Sequence, residues 1–462
     1  MLIIKIGNCA QIMYKKNVKN RRKYEDSTKN IEKLLSKLYN DFIEKRGGIF
    51  MKRKLAALCM LSLTVVTVLS GCGGSKANQD TAKGGKTKIR FASWDVAEDV
   101  DRQQELVDKF NAAHEDIEVA LEAYGKDFDT KISAGMGSGD TPDVMYMWNY
   151  PAYYQGLEPL ESFIEKEGET YKANFYDTLW NYNSMAGQIY GIPIGFTTHT
   201  LFYNKDLFQE ARIPEPTNDW TWDDLQQAAK TISEKTSAKG FAFPMKPDPY
   251  DFEMYLWSNG AAYCDKEGKL EGNINSKESE EVFQMFQDME KDGFAVATEK
   301  SGTDEFRSGA VAMYVYGAWS INSLKEDGLN YGVVAIPAFA NAGKDSVSIL
   351  SSSGISISKD SKNKEAAWEF VKFWTNEESN KARIGLELPV LSSVVESEKI
   401  MDQPEYAPFY LMLEQSTGYT SASFIIKEWS ELSENLSLSF EEVFNPSSLQ
   451  SVPEVLNSAA QQ

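Results

Sequence analysis

The chain has 462 residues, 42% of them hydrophobic and 12% aromatic, and carries 48 Lys and Arg against 68 Asp and Glu for a net charge of −20. A field of that sign repels polyanions, which excludes nucleic acid and anionic lipid headgroups as partners of the folded part. Four cysteines and two histidines leave little for a zinc site, so a chain of this length, ample for two domains, must be held by its hydrophobic cores.

Met51 opens a short basic head, Lys52-Arg53-Lys54, followed by an apolar run from Leu55 that closes on Leu69-Ser70-Gly71-Cys72. The run is too short to span a bilayer comfortably. A basic head, an apolar middle and small residues before a cysteine predict a lipoprotein secretion signal over 51–71, cut before Cys72. Cys72 is then the first mature residue and the lipidation site, and several acyl chains together give the stable anchoring that one chain does not. The polar, small-residue stretch 72–85 reads as a flexible tether. Residues 1–50 read as an over-called reading frame, because Arg46-Gly47-Gly48 matches what a purine-rich ribosome-binding sequence ahead of Met51 would encode. Composition agrees: residues 1–71 hold 15 of the 48 Lys and Arg but 5 of the 68 Asp and Glu, leaving 33 against 63, a net −30, for the rest. With Cys9 and Cys59 before the cut and Cys72 lipidated, only Cys264 remains, and the mature chain has no disulfide.

Beyond the tether the pattern alternates strand and helix, the signature of α/β architecture. Ile89-Arg90-Phe91-Ala92 predicts a first strand, and Asp101 to His114 a helix with Leu106, Val107 and Phe110 on one face. Ile117 to Leu121 alternates like a half-buried strand, and Asp143 to Met147 follows a turn-rich loop, Gly137-Ser138-Gly139-Asp140. Thr221-Trp222-Asp223-Asp224 opens a helix with a capping-box-like pattern, Glu365 to Trp374 is amphipathic, and Ser451 to Glu454 predicts a last helix with a capping box.

Several segments in this order carry a resemblance: Gly139-Asp140-Thr141-Pro142-Asp143-Val144; Tyr190-Gly191-Ile192-Pro193 running into Leu201-Phe202-Tyr203-Asn204-Lys205-Asp206; Thr221-Trp222-Asp223-Asp224-Leu225; Phe306 to Met313 leading to Gly317-Ala318-Trp319-Ser320; and Gly354 to Ser358 leading to the Glu365 helix. From about Lys88 to the end the chain resembles the extracellular solute-binding proteins of carbohydrate ABC transporters, the maltose-binding-protein-like family. The resemblance implies a two-lobed periplasmic-binding-protein-like fold of class II, with discontinuous lobes joined by a hinge and ligand in the cleft. The matched segments place the crossings near Pro193 to Thr197, Ile336-Pro337-Ala338 and Leu388-Pro389-Val390, and each contains a proline, which fixes φ and removes a ladder donor where a strand can end. One lobe is then 86–193 with 339–388, and the other 198–335 with 393–462.

A pyranose has an apolar C–H face and a rim of hydroxyls, so rings take the face while carboxylates, amides and backbone satisfy the rim. The resemblance places Trp148, Tyr250 and Trp319 at stacking positions, with Trp257 a further candidate; the competing reading of each is core packing. Asp95, Asp127 and Asn149 follow the first three strands, where open α/β sheets present ligands, or else serve as helix caps and loop charges. Ser353-Gly354 lets backbone approach a ligand or serves a turn. Thr197 and His199 lie beside the first crossing, His199 as a hydroxyl donor or a structural histidine. The segment Phe196 to His199 contains no carboxylate, a departure that removes the ground for a maltose-like specificity. Arg383 faces an anionic group or answers a helix dipole.

The expected function is capture of a carbohydrate, in particular an oligosaccharide, by a monomeric lipid-anchored receptor on the extracytoplasmic face, with delivery to ABC permease subunits in the membrane. No cofactor, metal or catalysis is implied. The alternatives are a secreted carbohydrate-active hydrolase, which also combines aromatics with paired carboxylates, and a surface lipoprotein with no transport role. The sequence has no Gly-x-Ser-x-Gly elbow, His-Glu-x-x-His helix or P-loop.

Overall fold

The computed structural model describes residues 85–462. Cys72, the signal at 51–71, the segment 1–50 and all but the last residue of the tether lie outside the described residues. The strands are β1 (Thr87–Ser93), β2 (Ile117–Ala123), β3 (Val144–Met147), β4 (Ser184–Met185), β5 (Gln188–Ile189), β6 (Ile192–Asn204), β7 (Phe241–Pro244), β8 (Ala295–Thr298), β9 (Met313–Gly317), β10 (Tyr331–Val334) and β11 (Leu350–Ile357).

The predicted opening of the chain forms a βαβ unit. β1 pairs in parallel with β2 from Thr87 opposite Ile117 to Ser93 opposite Ala123, and the helix Glu98–Ala113 crosses between them with Leu106, Val107 and Phe110 buried. β3 is buried at all four residues and lies parallel to β1 on its other side, as an apolar strand covered on both faces should. The sheet runs in the order β2-β1-β3-β11-β6-β9-β7-β8, with β10 also on β6, and β4 and β5 form a separate hairpin.

β6 joins the two halves of this sheet. It is 13 residues long and buried throughout. Its first part, Ile192 to Thr198, pairs antiparallel with β11; from His199 onward it pairs with β9 and then β10. The strand thus changes partners between Thr198 and His199, which gives two lobes, one built on β1, β2, β3 and β11 and the other on β7 to β10. Helix Ala407–Gln415 packs along it: Thr198 Oγ1 donates to the Phe409 carbonyl at 2.8 Å, Tyr410 enters one core and Met412 the other.

The aromatic residues are largely inside. Phe91 stands edge-on to Tyr146, Phe370 and Trp374 in the first core, and Phe252, Phe283, Phe440 and Phe444 interlock in the second. Such pairs add about 0.5–1.5 kcal/mol each beyond the area they bury.

The first crossing that the resemblance implies ends one residue before β6 changes partners; the packing around the second and third is different. Ala335, Ile336, Val347 and Ile349 all pack in the second core, so 339–349 stays there and the chain passes over at the start of β11. Leu391 bridges to Phe175 and Lys381 pairs with Glu398 at 2.9 Å, so the chain as far as Glu398 stays with the first lobe, while Glu405 pairs with Lys325 at 2.9 Å just before helix Ala407–Gln415. A proline removes one backbone donor without moving the chain to another layer: Pro193 sits inside β6, opposite Gly354 beside a bulge. The capping box at Thr221 and Asp224 is formed, whereas Ser451 makes no side-chain cap bond to helix Val452–Ala459. Pro453 there has no N–H, so one fewer donor needs capping. Among the described residues no helix is long and apolar enough to cross a membrane.

Candidate functional site

A cavity of about 610 Å³ opens where the two halves of the sheet meet, and its lining comes from both. The volume lies in the range of small-molecule sites. Six of the sequence candidates line it: Trp148, Asn149, Thr197, Tyr250, Trp319 and Ser353.

Trp148 directly follows β3, and Trp319 lies in the single turn that follows β9. They are 45% and 50% exposed, unlike most of the chain's large apolar residues. The Trp319 turn is tied to the shared strand, since the Ala318 N–H donates to Thr197 Oγ1 at 2.8 Å. A Cβ on Gly317 would meet the Trp319 ring at 2.7 Å, so the glycine lets that ring lie back over the strand end. Asn149 caps helix Tyr150–Tyr153, its Oδ1 accepting from the Ala152 N–H at 3.2 Å. Tyr250 donates its hydroxyl to the Leu350 carbonyl at 2.6 Å, where β11 begins. Ser353 donates to Glu387 Oε1 at 2.7 Å.

The other six candidates do not line this cavity. Asp95 accepts from Gln103, which also donates to the Tyr146 hydroxyl; burial first, then the charges of Glu387 and Asp99, push its carboxyl up to about 7. Asp127 is exposed before helix Phe128–Ser138 and makes no side-chain cap bond. His199 is buried behind Trp319, its ring held near neutral as burial lowers its pKa to about 4. Gly354 answers packing: a Cβ there would collide with Asn183 Oδ1 and the Tyr150 hydroxyl, which hydrogen-bond each other. Trp257 is buried against Tyr419 in a separate, smaller cavity. Arg383 is buried too, its guanidinium over Trp374 and donating to the carbonyls of Trp374 and Ile194 at 2.7 and 3.2 Å. Those two donors are spent on backbone, and Arg383 itself does not line the cleft.

Asp248, Asp251 and Glu387 are the charged residues of the lining. Burial pushes Asp251 up to about 6. Burial also raises Glu387, against the pull of Arg383, whose Nε lies 4.0 Å from Glu387 Oε2. The cavity therefore combines exposed tryptophan faces with carboxylate, hydroxyl and amide groups. Among the described residues no group of His, Cys, Asp and Glu could hold a metal ion.

Residues 105–408 match the family described as bacterial extracellular solute-binding protein. The chain belongs to that family. This solute-binding protein is 26% identical to the galactooligosaccharide-binding protein of Bacillus subtilis over 75% of this chain and 84% of that one, and 24% identical to the arabinooligosaccharide-binding protein of the same organism over 82% and 89%. Against putative binding proteins of Brucella abortus and Brucella suis it is 28% identical, and the match spans 60% of their length. Among solved structures, the ABC substrate-binding protein of Listeria monocytogenes in complex with cycloalternan superposes with a TM-score of 0.70 at 25% identity, over 82% of this chain and 98% of that one. The likeness bears out the two-lobed α/β fold.

Several lining residues of the solute-binding protein are not among the sequence candidates. Trp94 precedes the chosen Asp95 and is the first residue past β1, so an aromatic at a strand's carboxyl end was a usable signal. Glu387 adjoins the proline at 389, and a carboxylate beside a predicted crossing was another. Asp248, Asp251 and Trp429 come from helices far apart in sequence, and only the fold brings them together.

Proposed function

We propose that this chain is the carbohydrate receptor of an ABC importer, capturing an oligosaccharide in the cleft and delivering it to a membrane permease. The observation that carries this reading is the pair Trp148 and Trp319, two half-exposed indoles facing one cavity among acceptor groups. Exposed tryptophan is costly in water, and a sugar's C–H face covers it while the hydroxyl rim meets Asp248, Asp251, Glu387, Asn149 and the β11 serines. A lining with three carboxylates and no Lys, Arg or His repels anionic solutes and accepts from hydroxyls. The sugar specificities in the names of the Bacillus relatives support the same substrate class.

Closure supplies the signal. A ligand touching both lobes favours the form in which they approach, and that form docks on the permease. β6, the start of β11 and helix Ala407–Gln415 are the hinge, which keeps the first expected crossing and revises the second and third. Lipid on Cys72 holds the receptor at the extracytoplasmic face; Cys72→Ser releases it to the medium or leaves an unprocessed precursor, and a processed, membrane-bound variant contradicts the anchor. The receptor acts as a monomer and is not an enzyme: incubation with oligosaccharides should yield no new reducing ends, and their appearance contradicts this.

The test is a thermal-shift screen over mono- and oligosaccharides followed by calorimetry. A ligand bound only by the folded state raises the melting temperature. Carbohydrate hits support the reading, and a screen in which no carbohydrate stabilises the protein overturns it.

A further inference from the structure

Trp257 has no place in the main cleft, yet the wall it belongs to is built like one. It lies against Tyr419 with ring centroids 5.3 Å apart and planes at 35°. Lys344 fixes both, donating to the Trp257 carbonyl and at 3.2 Å to the Tyr419 hydroxyl. These rings line a second cavity of about 130 Å³ whose other walls include Asn181, Thr178, Ser416 and Thr420. That size approaches an engineered cavity of about 150 Å³ that accepts one benzene ring.

Three residues, Tyr182, Tyr250 and Phe424, line both cavities. Tyr182 and Phe424 are edge-on at 5.5 Å. The two spaces are therefore neighbours that share aromatic walls. Thr178, Asn181 and Tyr182 come from helix Asp177–Tyr182, which packs in the first core, and Trp257 from helix Pro249–Ser258, which packs in the second. Tyr419 remains 39% exposed, so the second space opens to solvent. It carries no carboxylate and no cation in its lining. Its aromatic pair and hydroxyl groups suit a neutral sugar unit, not an ion.

We propose that this second cavity is an accessory subsite that takes the terminal unit of a longer or branched oligosaccharide whose body occupies the main cleft. The inference rests on the carbohydrate reading of that cleft. It assigns chain-length specificity to Asn181, Trp257 and Tyr419.

The test is calorimetry on the full chain with matched di- and tetrasaccharides of the α-glucosyl, α-galactosyl and α-arabinosyl series. The variants are Asn181→Phe, which fills the cavity from an exposed position, and Tyr419→Ala, which removes an exposed ring. In the series that binds, the wild type should prefer the tetrasaccharide by about tenfold, on the scale of one added ring contact. Both variants should lose that preference while disaccharide affinity is unchanged. A wild type indifferent to length, variants that keep the preference, or equal losses for both lengths overturn the subsite and leave the carbohydrate reading intact. Absence of binding in every series fails that reading itself, and the subsite with it.

Discussion

Trp319 stands edge-on to His199, with ring centroids 5.8 Å apart and planes at 87°. Tyr316 meets the same indole at 5.4 Å and 89°. The two neighbours brace the tryptophan from its edge and leave a face for the cleft, and His199, buried and neutral, acts as packing beneath a binding ring. Trp319→Ala should weaken sugar binding by roughly 1–3 kcal/mol, the scale of burying and stacking one large aromatic, with little change in folding stability. Calorimetry on the best ligand checks this, and unchanged affinity removes Trp319 from the site. Trp368 is the control: it is buried against Phe163 and donates to Glu167 at 3.0 Å. Trp368→Ala should cost about 3–5 kcal/mol of stability.

Gly317 should behave like a site residue although it touches no ligand. Its backbone is extended, at φ −84° and ψ 170°, so alanine brings no backbone strain. The added Cβ pushes the Trp319 ring off the strand end instead. Gly317→Ala should therefore fold normally and bind sugar about as weakly as Trp319→Ala. The double variant should lose no more than either single one, since both act through the same ring.

Glu253 governs a pH response behind the cleft. It is buried, accepts from the Ser421 hydroxyl at 2.8 Å and from the Ala422 N–H at 3.0 Å, and so ties helix Pro249–Ser258 to the segment that carries Ser423 and Phe424 into the lining. Burial raises its pKa from 4.5 to about 8. The folded state then holds a proton that the unfolded state has released, so this contribution is fully present below about pH 4.5 and is lost as pH rises through about 8. Denaturant unfolding between pH 5 and 8 should show the wild type losing up to about 1.4 kcal/mol per pH unit more than Glu253→Gln. Equal slopes in the two proteins contradict a protonated Glu253.

What was legible in the sequence follows from how local each signal is. The βαβ opening, the Thr221 cap and the buried face of the Glu365 helix rest on spacing within a few residues, and the chain forms them. Trp148 and Trp319 came from the family resemblance and Asn149 from its place after β3; all three lie within two residues of a strand end, and strand ends face the cleft. The first crossing fell within a residue of the change of partner in β6, whereas the prolines at the second and third mark missing donors and not changes of layer. Asp95 was placed in the cleft by its position after β1 and Arg383 by the family resemblance, but Gln103 donates to Asp95 and Arg383 donates to two backbone carbonyls away from the lining. Trp257 carried no cue in the sequence to separate the main cleft from the cavity beside it. Asp251 and Trp429 needed the whole second lobe to be assembled before they could share a wall with Trp148.

Closure around a ligand is most directly tested by lobe separation in solution. Labels at Lys131, on helix Phe128–Ser138, and Lys230, on helix Trp222–Lys235, sit on exposed positions of opposite lobes. Lys131 and Lys109 form the control pair within one lobe. Adding the best carbohydrate should shorten the Lys131–Lys230 distance and leave Lys131–Lys109 unchanged, as two nearly rigid bodies turn about β6 and its neighbours. A ligand that binds tightly and leaves both distances unchanged contradicts a closing receptor and points to a rigid site.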